Sequence, residues 1–282
     1  MIIVTGASGQ AGRTCVRDLM AHGYDVLAVD LAPAADPGWV FSRVDLTDYG
    51  QTIAAFSAID DRLQGPVEAI VHLAAIRAPG LAPNHVIFET NTVSTYVFEA
   101  ARVLGIRNIV WASSETVLGL PFDTPPPYVP VDEEYPGRPE TAYSLSKLMG
   151  EQMAEQFCRW DPELKIIGLR LSNVMDPQDY ARFSAFDADA NARKWNLWAY
   201  IDARDAAQAV RLALQSDLKG AEVFVIANAD SVMSRPNAEL LAEVYPGVPA
   251  RRDFGPNETL LSIEKACRML GYEPQHSWRD HA

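Results

Sequence analysis

The chain has 282 residues, 48% of them hydrophobic and 22% charged, which is typical of a globular protein with one large α/β domain and a smaller lobe. Its formal net charge of −13 at pH 7 argues against nucleic acid or an anionic membrane as the main partner. The scattered cysteines, and the lack of a secretory leader or a bilayer-spanning apolar run, predict a cytoplasmic protein without disulfides or a structural metal.

The first predicted element is a short buried strand, residues 2–4, that leads into a glycine-rich turn. The turn carries Gly6, Gly9 and Gly12, and a helical pattern begins at Arg13. Glycine allows a sharp turn after a strand, brings backbone N–H groups close to a pyrophosphate, and lets a helix pack closely on the strand. The following helix N-terminus offers unpaired N–H donors to an anion. The pattern therefore predicts a dinucleotide-binding site.

The second predicted strand, residues 24–30, ends in the carboxylate of Asp30. This is about the distance from the glycines at which an acidic residue binds the adenosine ribose. A carboxylate accepts hydrogen bonds from the ribose hydroxyls and repels a 2′-phosphate. The one arginine near the turn is Arg13. These features favour NAD over NADP.

Strands then alternate with helical patterns, which predicts a Rossmann-type, doubly wound parallel sheet in an α/β fold. The further predicted strands are 39–44, 67–74, 108–112, 165–171 and 222–227. The predicted helices are one that begins after Thr47 or Asp48, and then 84–104, 142–160, 203–215 and 258–270. The proline-dense segment 121–139 is expected to be irregular and to pass near the site.

The order of these elements predicts two structural units. Residues 1–172 are expected to form the dinucleotide-binding domain, and residues 200–227 return to it. Residues 173–199 and 228–282 are expected to form a small substrate-binding lobe.

Tyr143 and Lys147 lie four residues apart, on one face of the predicted helix 142–160. An ammonium near a phenol favours the phenolate, so this tyrosine could act as a base below its reference pKa of about 10. An exposed pair on a charged helix is the other interpretation. Ser113 and Ser114 follow the strand 108–112, at the sheet edge where ligands of open α/β sheets bind. A hydroxyl there could hold a substrate oxygen beside the phenol.

Taken together, these motifs resemble the extended short-chain dehydrogenases/reductases, also called the NAD-dependent epimerase/dehydratase family. The resemblance covers about the first two-thirds of the chain. The matching positions, in chain order, are 5–12, Asp30, Asp45 with Leu46, 72–75, Asn91, 100–101, 113–119, 143–147 and 169–174.

The resemblance implies a role for each matched residue. Tyr143 would be the general base or acid, Lys147 its electrostatic partner and a ligand of the nicotinamide ribose, and Ser114 would polarise the substrate oxygen. Asn91 would support the site. The implied cofactor-binding residues are Gly6, Ser8, Gly9, Gln10, Ala11, Gly12, Asp30, Asp45, Leu46, Leu73, Ala74, Ala75, Asn91, Tyr143 and Lys147.

The segment between Asn173 and Asp202 is shorter than in family members that act on nucleotide sugars. Those members carry an arginine that grips the diphosphate, and Asn196 occupies its place here if the following motif is matched at residues 201–202. Loss of a cation weakens the nucleotide-sugar interpretation, although Arg193, Lys194 or Arg204 could compensate.

The compact lobe is similar to that of the family's uronate dehydrogenases. Arg182 is then the candidate for binding a substrate carboxylate, because a planar guanidinium binds one bidentately; a surface arginine is the alternative. Asn173 is a second candidate substrate ligand. Glu115 either contacts substrate or caps the turn after the strand. The family's dehydratases carry their acidic residues after this strand in a different arrangement, and this chain has a single acid there, at a shifted position. Elimination of water is therefore a weak interpretation.

The sequence therefore favours oxidation by NAD of a small polyol, sugar or sugar acid, with Tyr143 as base. The alternative is a nucleotide-sugar 4-epimerase, in which the same hydride returns to the other face. A third interpretation is a regulator that senses NAD(P) without turnover, which the presence of Tyr143, Lys147 and Ser114 disfavours. By analogy with relatives that pair through the helices 84–104 and 142–160, a homodimer is expected.

Overall fold

The structure, a computed structural model, describes residues 1–33, 36, 38–57 and 65–281. Its strands are β1 (Ile2–Thr5), β2 (Val26–Asp30), β3 (Val40–Arg43), β4 (Ala69–His72), β5 (Asn108–Ser114), β6 (Lys165–Leu171), β7 (Val174–Met175), β8 (Ile201–Asp202) and β9 (Gly220–Ile226). Within the described residues, β7 and β8 pair with each other, and the others form a seven-stranded parallel sheet in the order β3-β2-β1-β4-β5-β6-β9. The predicted Rossmann-type fold is confirmed.

The α-helices are α1 (Gln10–Ala21), α2 (Tyr49–Phe56), α3 (Asn84–Leu104), α4 (Ala142–Trp160), α5 (Ala203–Gln215), α6 (Asn237–Val244) and α7 (Glu264–Leu270). The sequence predicted α3, α4 and α5 to the residue, because strong local signals mark their ends. Gly105 ends α3 in the left-handed conformation, at φ 72°. The Thr141 hydroxyl accepts a hydrogen bond from the Ser144 N–H at the start of α4.

Two of the predicted elements differ near the N-terminal turn. The helix α1 begins at Gln10, three residues before the predicted start, so its first turn belongs to the glycine-rich segment. The strand β4 ends at His72 rather than at residue 74. The Ala74 N–H donates to the Thr5 hydroxyl and no longer to a strand carbonyl, which turns the chain across the end of β1.

The sheet lies between two apolar layers because alternate side chains of each strand point to opposite faces. Ile2 and Val4 belong to the cluster that contains the buried side chains of α1 and α5. Ile3 belongs to the opposite cluster, which contains those of α3 and α4. Parallel strands that are covered on both faces place their carboxyl ends at one edge, where the site is expected.

A third apolar cluster holds the C-terminal segments together. It contains Phe183, Trp198 and Tyr200, and also Val129 and Leu261. The segment 121–139 is irregular as predicted, but it packs into this cluster rather than only over the surface: the Ser262 N–H donates to the Val131 carbonyl, and Val131 pairs with Leu261.

This pairing explains why the last predicted helix is too long. The helix α7 begins at Glu264, and not at residue 258. Leu260 and Leu261 are fully buried, and the backbone of this stretch bonds to Val131 instead of continuing a helix. The helix α6 was not predicted. No helix in the described part of the chain is both long and apolar enough to cross a membrane.

Candidate active site

The glycine-rich turn brings β1, α1 and the end of β4 into close contact. A Cβ on Gly12 would lie 2.0 Å from the Gly6 carbonyl oxygen, and one on Gly6 would lie 2.6 Å from the Ala74 nitrogen. Gly6 also has a φ of +70°, which L side chains rarely adopt. Both positions therefore require glycine.

The first turn of α1 presents backbone donors to a cavity. Gly9 precedes the helix without a side-chain hydrogen bond to it, and Gln10, Ala11 and Gly12 line the cavity. The first amides of a helix have no partner within the helix, and the helix dipole favours an anion at this end. This part of the cavity suits a phosphate or pyrophosphate.

Asp30 lies beside this turn, at the end of β2. Its carboxylate accepts hydrogen bonds from the Ser8 N–H at 2.9 Å and the Ala32 N–H at 3.3 Å. A carboxylate offers about four acceptor positions, so Asp30 can still accept from hydroxyl groups in the cavity, which it lines.

The cavity has a volume of about 960 Å³ and follows the carboxyl edge of the sheet. Its lining includes the predicted residues Asp30, Asp45, Leu46, Leu73, Ala74, Ala75, Ser114, Glu115, Tyr143, Lys147 and Asn173. It thus joins the glycine-rich turn and the carboxylate of Asp30 to the predicted catalytic groups. The glycines, the free helix amides and the acceptor on β2 fit an extended dinucleotide.

Ser114, Tyr143 and Lys147 meet at one end of this cavity. The Ser114 oxygen accepts hydrogen bonds from the Thr116 N–H and hydroxyl, at 3.2 and 3.0 Å. Its own proton is therefore available to another group, and a hydrogen bond between Ser114 and Tyr143 acts to lower the pKa of the phenol.

The expected lowering of the Tyr143 pKa by Lys147 is not seen. Burial raises the pKa of Tyr143 to about 12, and the charge of Glu115 adds to the rise. The Lys147 ammonium lies 5.7 Å from the centre of the Tyr143 ring and donates to the Ala112 carbonyl at 2.7 Å. Its own burial lowers the pKa of Lys147 to about 8. Burial is therefore the main cause of the raised pKa of Tyr143.

Glu115 is a buried carboxyl in the wall of the cavity, with 3% of its surface exposed. It accepts hydrogen bonds from the Ser172 hydroxyl at 2.6 Å and the Asn196 amide at 3.2 Å. Burial raises its pKa to about 7, while these bonds, the Asn173 N–H and the charge of Arg193 oppose the rise. Both sequence interpretations of Glu115 left out these partners, which come from distant segments.

Arg193 is the cation nearest to this wall among the three that the sequence offered as substitutes for the missing arginine. It donates to the Asn173 side chain at 3.0 Å and to the Ala199 carbonyl at 2.8 Å. Arg204 pairs with Asp202, and Lys194 lies 3.9 Å from a carboxylate oxygen of Asp123.

Three predicted residues, Ser8, Asn91 and Arg182, lie outside the described lining of the cavity. Ser8 donates its N–H to the Asp30 carboxylate. Arg182 is on the surface, with 64% of its side chain exposed, and pairs with Asp179 at 2.6 Å. This placement gives no support to the predicted contact with a substrate carboxylate. Asn91 donates to the Ser146 carbonyl at 2.8 Å, so it binds the backbone of α4, and its role as a support of the site stays a prediction.

Other residues that line the cavity, Ser172 and Trp195 among them, were not predicted from the sequence. Ser172 lies within a matched motif and could have been named, because it directly follows β6. Trp195 also lines the cavity, and the Arg193 guanidinium lies 4.7 Å from the centre of its ring. No pattern in the irregular segment that carries Trp195 indicates which side chain faces inward.

Comparison with known proteins gives a family and several relatives. The model of the family described as "NAD dependent epimerase/dehydratase family" matches residues 2–227. A UDP-glucose 4-epimerase from Bacillus subtilis (strain 168) is 29% identical over 210 residues, which cover 71% of this chain and 59% of that enzyme. The match therefore spans less than two thirds of the length of this curated relative.

Solved structures resemble the chain over nearly its whole length. A UDP-glucose 4-epimerase from Thermus thermophilus, in complex with NAD, is 24% identical with a TM-score of 0.71, covering 98% of this chain and 94% of that one. A mutated uronate dehydrogenase is 21% identical with a TM-score of 0.68, covering 99% and 84%. At these identities the likeness shows a shared fold.

Proposed function

Because the chain belongs to the NAD-dependent epimerase/dehydratase family, we propose that it catalyses NAD-dependent hydride transfer at a secondary alcohol of a carbohydrate-like substrate. The observation that carries this proposal is that Ser114, Tyr143 and Lys147 lie together at one end of the cavity. The glycine-rich turn lines the same cavity. The groups that would hold NAD are the amides at the start of α1 and the carboxylate of Asp30.

In this mechanism the Ser114 hydroxyl donates to the oxygen of the reacting alcohol. The Tyr143 phenol exchanges a proton with that oxygen, as base during oxidation and as acid during reduction. Bound NAD supplies the hydride acceptor and a positive charge. Burial holds the pKa of Tyr143 at about 12 even though the Lys147 ammonium lies 5.7 Å from the centre of its ring, so the phenol needs further positive charge nearby before it can act as a base.

The proposed role of Tyr143 is tested by Tyr143→Phe, which removes the phenolic oxygen but keeps the ring. We expect turnover to fall by about 10²–10⁴-fold, the usual contribution of a general acid–base group. NAD affinity, measured by calorimetry, should change little, because the phosphate and adenosine groups are untouched. Unchanged turnover in the variant would contradict the mechanism and would favour a protein that binds NAD without using this site.

The specific reaction that we propose is 4-epimerisation of a nucleotide sugar. Its support is the curated relative with that activity, which matches 71% of this chain. We therefore rank it ahead of the simple dehydrogenation that the sequence favoured. Arg193 donates to the Asn173 side chain and to the Ala199 carbonyl, and so holds this part of the cavity wall in place.

Dehydrogenation of a small sugar or sugar acid is the second candidate. It is favoured by one observation: Asn196, at the matched arginine position, is fully buried and donates to Glu115 and to the Ala199 carbonyl. It therefore offers no cation to a diphosphate.

The two candidates differ in what happens to the hydride. An epimerase returns it, so UDP-glucose and UDP-galactose should interconvert without accumulation of free NADH, and the purified protein should retain NAD. A dehydrogenase should form NADH in proportion to the substrate oxidised. Sustained NADH formation from free sugars, with no interconversion of nucleotide sugars, would replace the first candidate by the second.

A further inference from the structure

Glu115 follows Ser114 directly and lines the same cavity. Its charge contributes to the raised pKa of Tyr143, which lines the same cavity. Ser172 and Asn173, which also line the cavity, both donate hydrogen bonds to it. Glu115 is thus part of the wall that a bound sugar would face.

In every described hydrogen bond of the Glu115 side chain, the carboxyl group is the acceptor. The donors are the Ser172 hydroxyl, the Asn196 amide and the Asn173 N–H. Such a set stabilises the ionised carboxylate, and the nearby Arg193 charge acts in the same direction. The wall therefore presents an acceptor and a negative charge to the substrate.

Arg193 does not offer a binding site to a substrate carboxylate, because both of its Nη groups already donate hydrogen bonds within the protein. Its Nη1 donates to Asn173 and its Nη2 to the Ala199 carbonyl, while the guanidinium stacks against Trp195 at 4.7 Å. Its charge is already matched by that of Glu115, which raises the pKa of Arg193 while Arg193 lowers that of Glu115. Arg182, the residue expected to bind a carboxylate, is on the surface.

We infer that Glu115 determines specificity at this site: it accepts a hydrogen bond from a hydroxyl of a neutral sugar ring and disfavours a uronate, whose carboxylate would face it. This inference rests on the proposed function, since it assumes that a sugar occupies the cavity. It names the substrate class as a sugar without a carboxylate on the ring.

The physical basis is the difference between a hydroxyl and a carboxylate beside a buried anion. A hydroxyl can donate to Glu115 and form a charge-assisted hydrogen bond. A carboxylate has no proton to donate, and like charges held close together in a site of low polarity repel. Removal of the charge from Glu115 should therefore relax the discrimination.

The test compares UDP-glucose with UDP-glucuronate, which differ only in the carboxylate on the sugar. Dissociation constants are measured by calorimetry on the NAD-loaded protein. The wild type should bind UDP-glucose at least about tenfold more tightly, and Glu115→Gln should reduce that ratio by about tenfold, the usual scale of one charged contact. Glu163→Gln, which removes an exposed charge paired with Lys219, should leave the ratio unchanged.

The pH dependence gives a second readout. Glu115 has a pKa of about 7, so discrimination in the wild type should weaken from about pH 7.5 to about pH 6 as it gains a proton. The other titratable groups of this wall, Tyr143, Lys147 and Arg193, have pKa values of about 12, 8 and 10, above that range. The Glu115→Gln variant should show no such change.

Several results would overturn the inference. These are a wild type that prefers the uronate, a ratio that Glu115→Gln does not alter, or no binding of either nucleotide sugar together with no Glu115-dependent preference between galactose and galacturonate. Failure of the proposed function is a different result, in which Tyr143→Phe keeps full turnover. Because the ratio is a binding measurement, the two failures can be told apart.

Discussion

Asp30 is the side chain that we propose sets the choice of cofactor. Its carboxylate supports the turn through the Ser8 and Ala32 N–H groups, and its remaining acceptor positions suit the ribose hydroxyls. The positions of these groups follow from β2 ending at Asp30, next to the glycine-rich turn.

Asp30→Asn should weaken NAD binding because the amide loses the charge that strengthens these hydrogen bonds. A loss of about tenfold is expected from one charge-assisted bond. The preference for NAD over NADP should also shrink, since the 2′-phosphate no longer meets a negative charge. Titration calorimetry with both dinucleotides gives both quantities, and an unchanged preference would contradict the role of Asp30.

Glu115 should also affect the pH dependence of stability. Its pKa is raised from 4.5 to about 7 in the folded protein, so between these values the folded state holds a proton that the unfolded chain has released. The contribution of Glu115 to the free energy of unfolding is therefore at its full value below pH 4.5. It falls as pH rises through about 7.

Glu115→Gln removes this titration. Relative to the wild type, the variant should be more stable at about pH 8 than at about pH 5, because other groups titrate equally in both proteins. Urea denaturation at the two pH values measures the difference. A gap between variant and wild type that does not widen with pH would show that Glu115 has an ordinary pKa.

At the scale of elements, the packing of α1 on β1 depends on a contact that only glycine allows. The Cβ of an alanine at residue 12 would meet the backbone of Gly6 at 2.0 Å. A backbone atom cannot move aside as a flexible side chain can, so the helix would have to shift away from the strand. The amides that face the cavity lie on that same turn.

Gly12→Ala should therefore abolish tight NAD binding and destabilise the fold by about 1–3 kcal/mol, as overpacking does. Gly50→Ala is the matched control, because Gly50 is exposed in α2 and its Cβ would meet only the Asp48 side chain, at 3.2 Å. Thermal unfolding and NAD titration of both variants test the contact. Normal NAD binding by Gly12→Ala would show that the turn is less rigid than described.

For the whole molecule, exposed apolar side chains on α3 and α4 bear on the expected homodimer. Val103 on α3 is 54% exposed, and Leu145 and Met149 on α4 are 40% and 46% exposed. The two helices pack side by side, and Leu145 and Met149 lie one turn apart on α4. Contiguous exposed apolar surface commonly marks an interface.

Met149→Glu places a charge in this surface and should convert a dimer to a monomer. Sedimentation velocity measures the change, and the circular dichroism spectrum should stay as in the wild type because residue 149 is not in the core. Met20→Glu, at a residue that is 42% exposed on α1, is the control. A wild type that sediments as a monomer would contradict the predicted pairing.

The sequence by itself determined the sheet, the helices α3, α4 and α5 and the glycine-rich turn, because the sequence patterns that indicate them are local. The glycines of the turn, the end of α3 at Gly105 and the spacing of Tyr143 and Lys147 depend on backbone conformation and helix geometry within a few residues. The residues that specify such features lie within the features themselves, so the sequence predicted their positions correctly or to within a few residues.

Only the tertiary structure decided which side chains form the cavity wall around Glu115. Asn196 reaches Glu115 across 81 residues of sequence, and Leu261 pairs with Val131 where a helix was expected. Arg182 lies on the surface although its chemistry suited a carboxylate. In irregular segments, packing against distant chain selects which side chains point inward, and that selection has no periodic signature in the sequence.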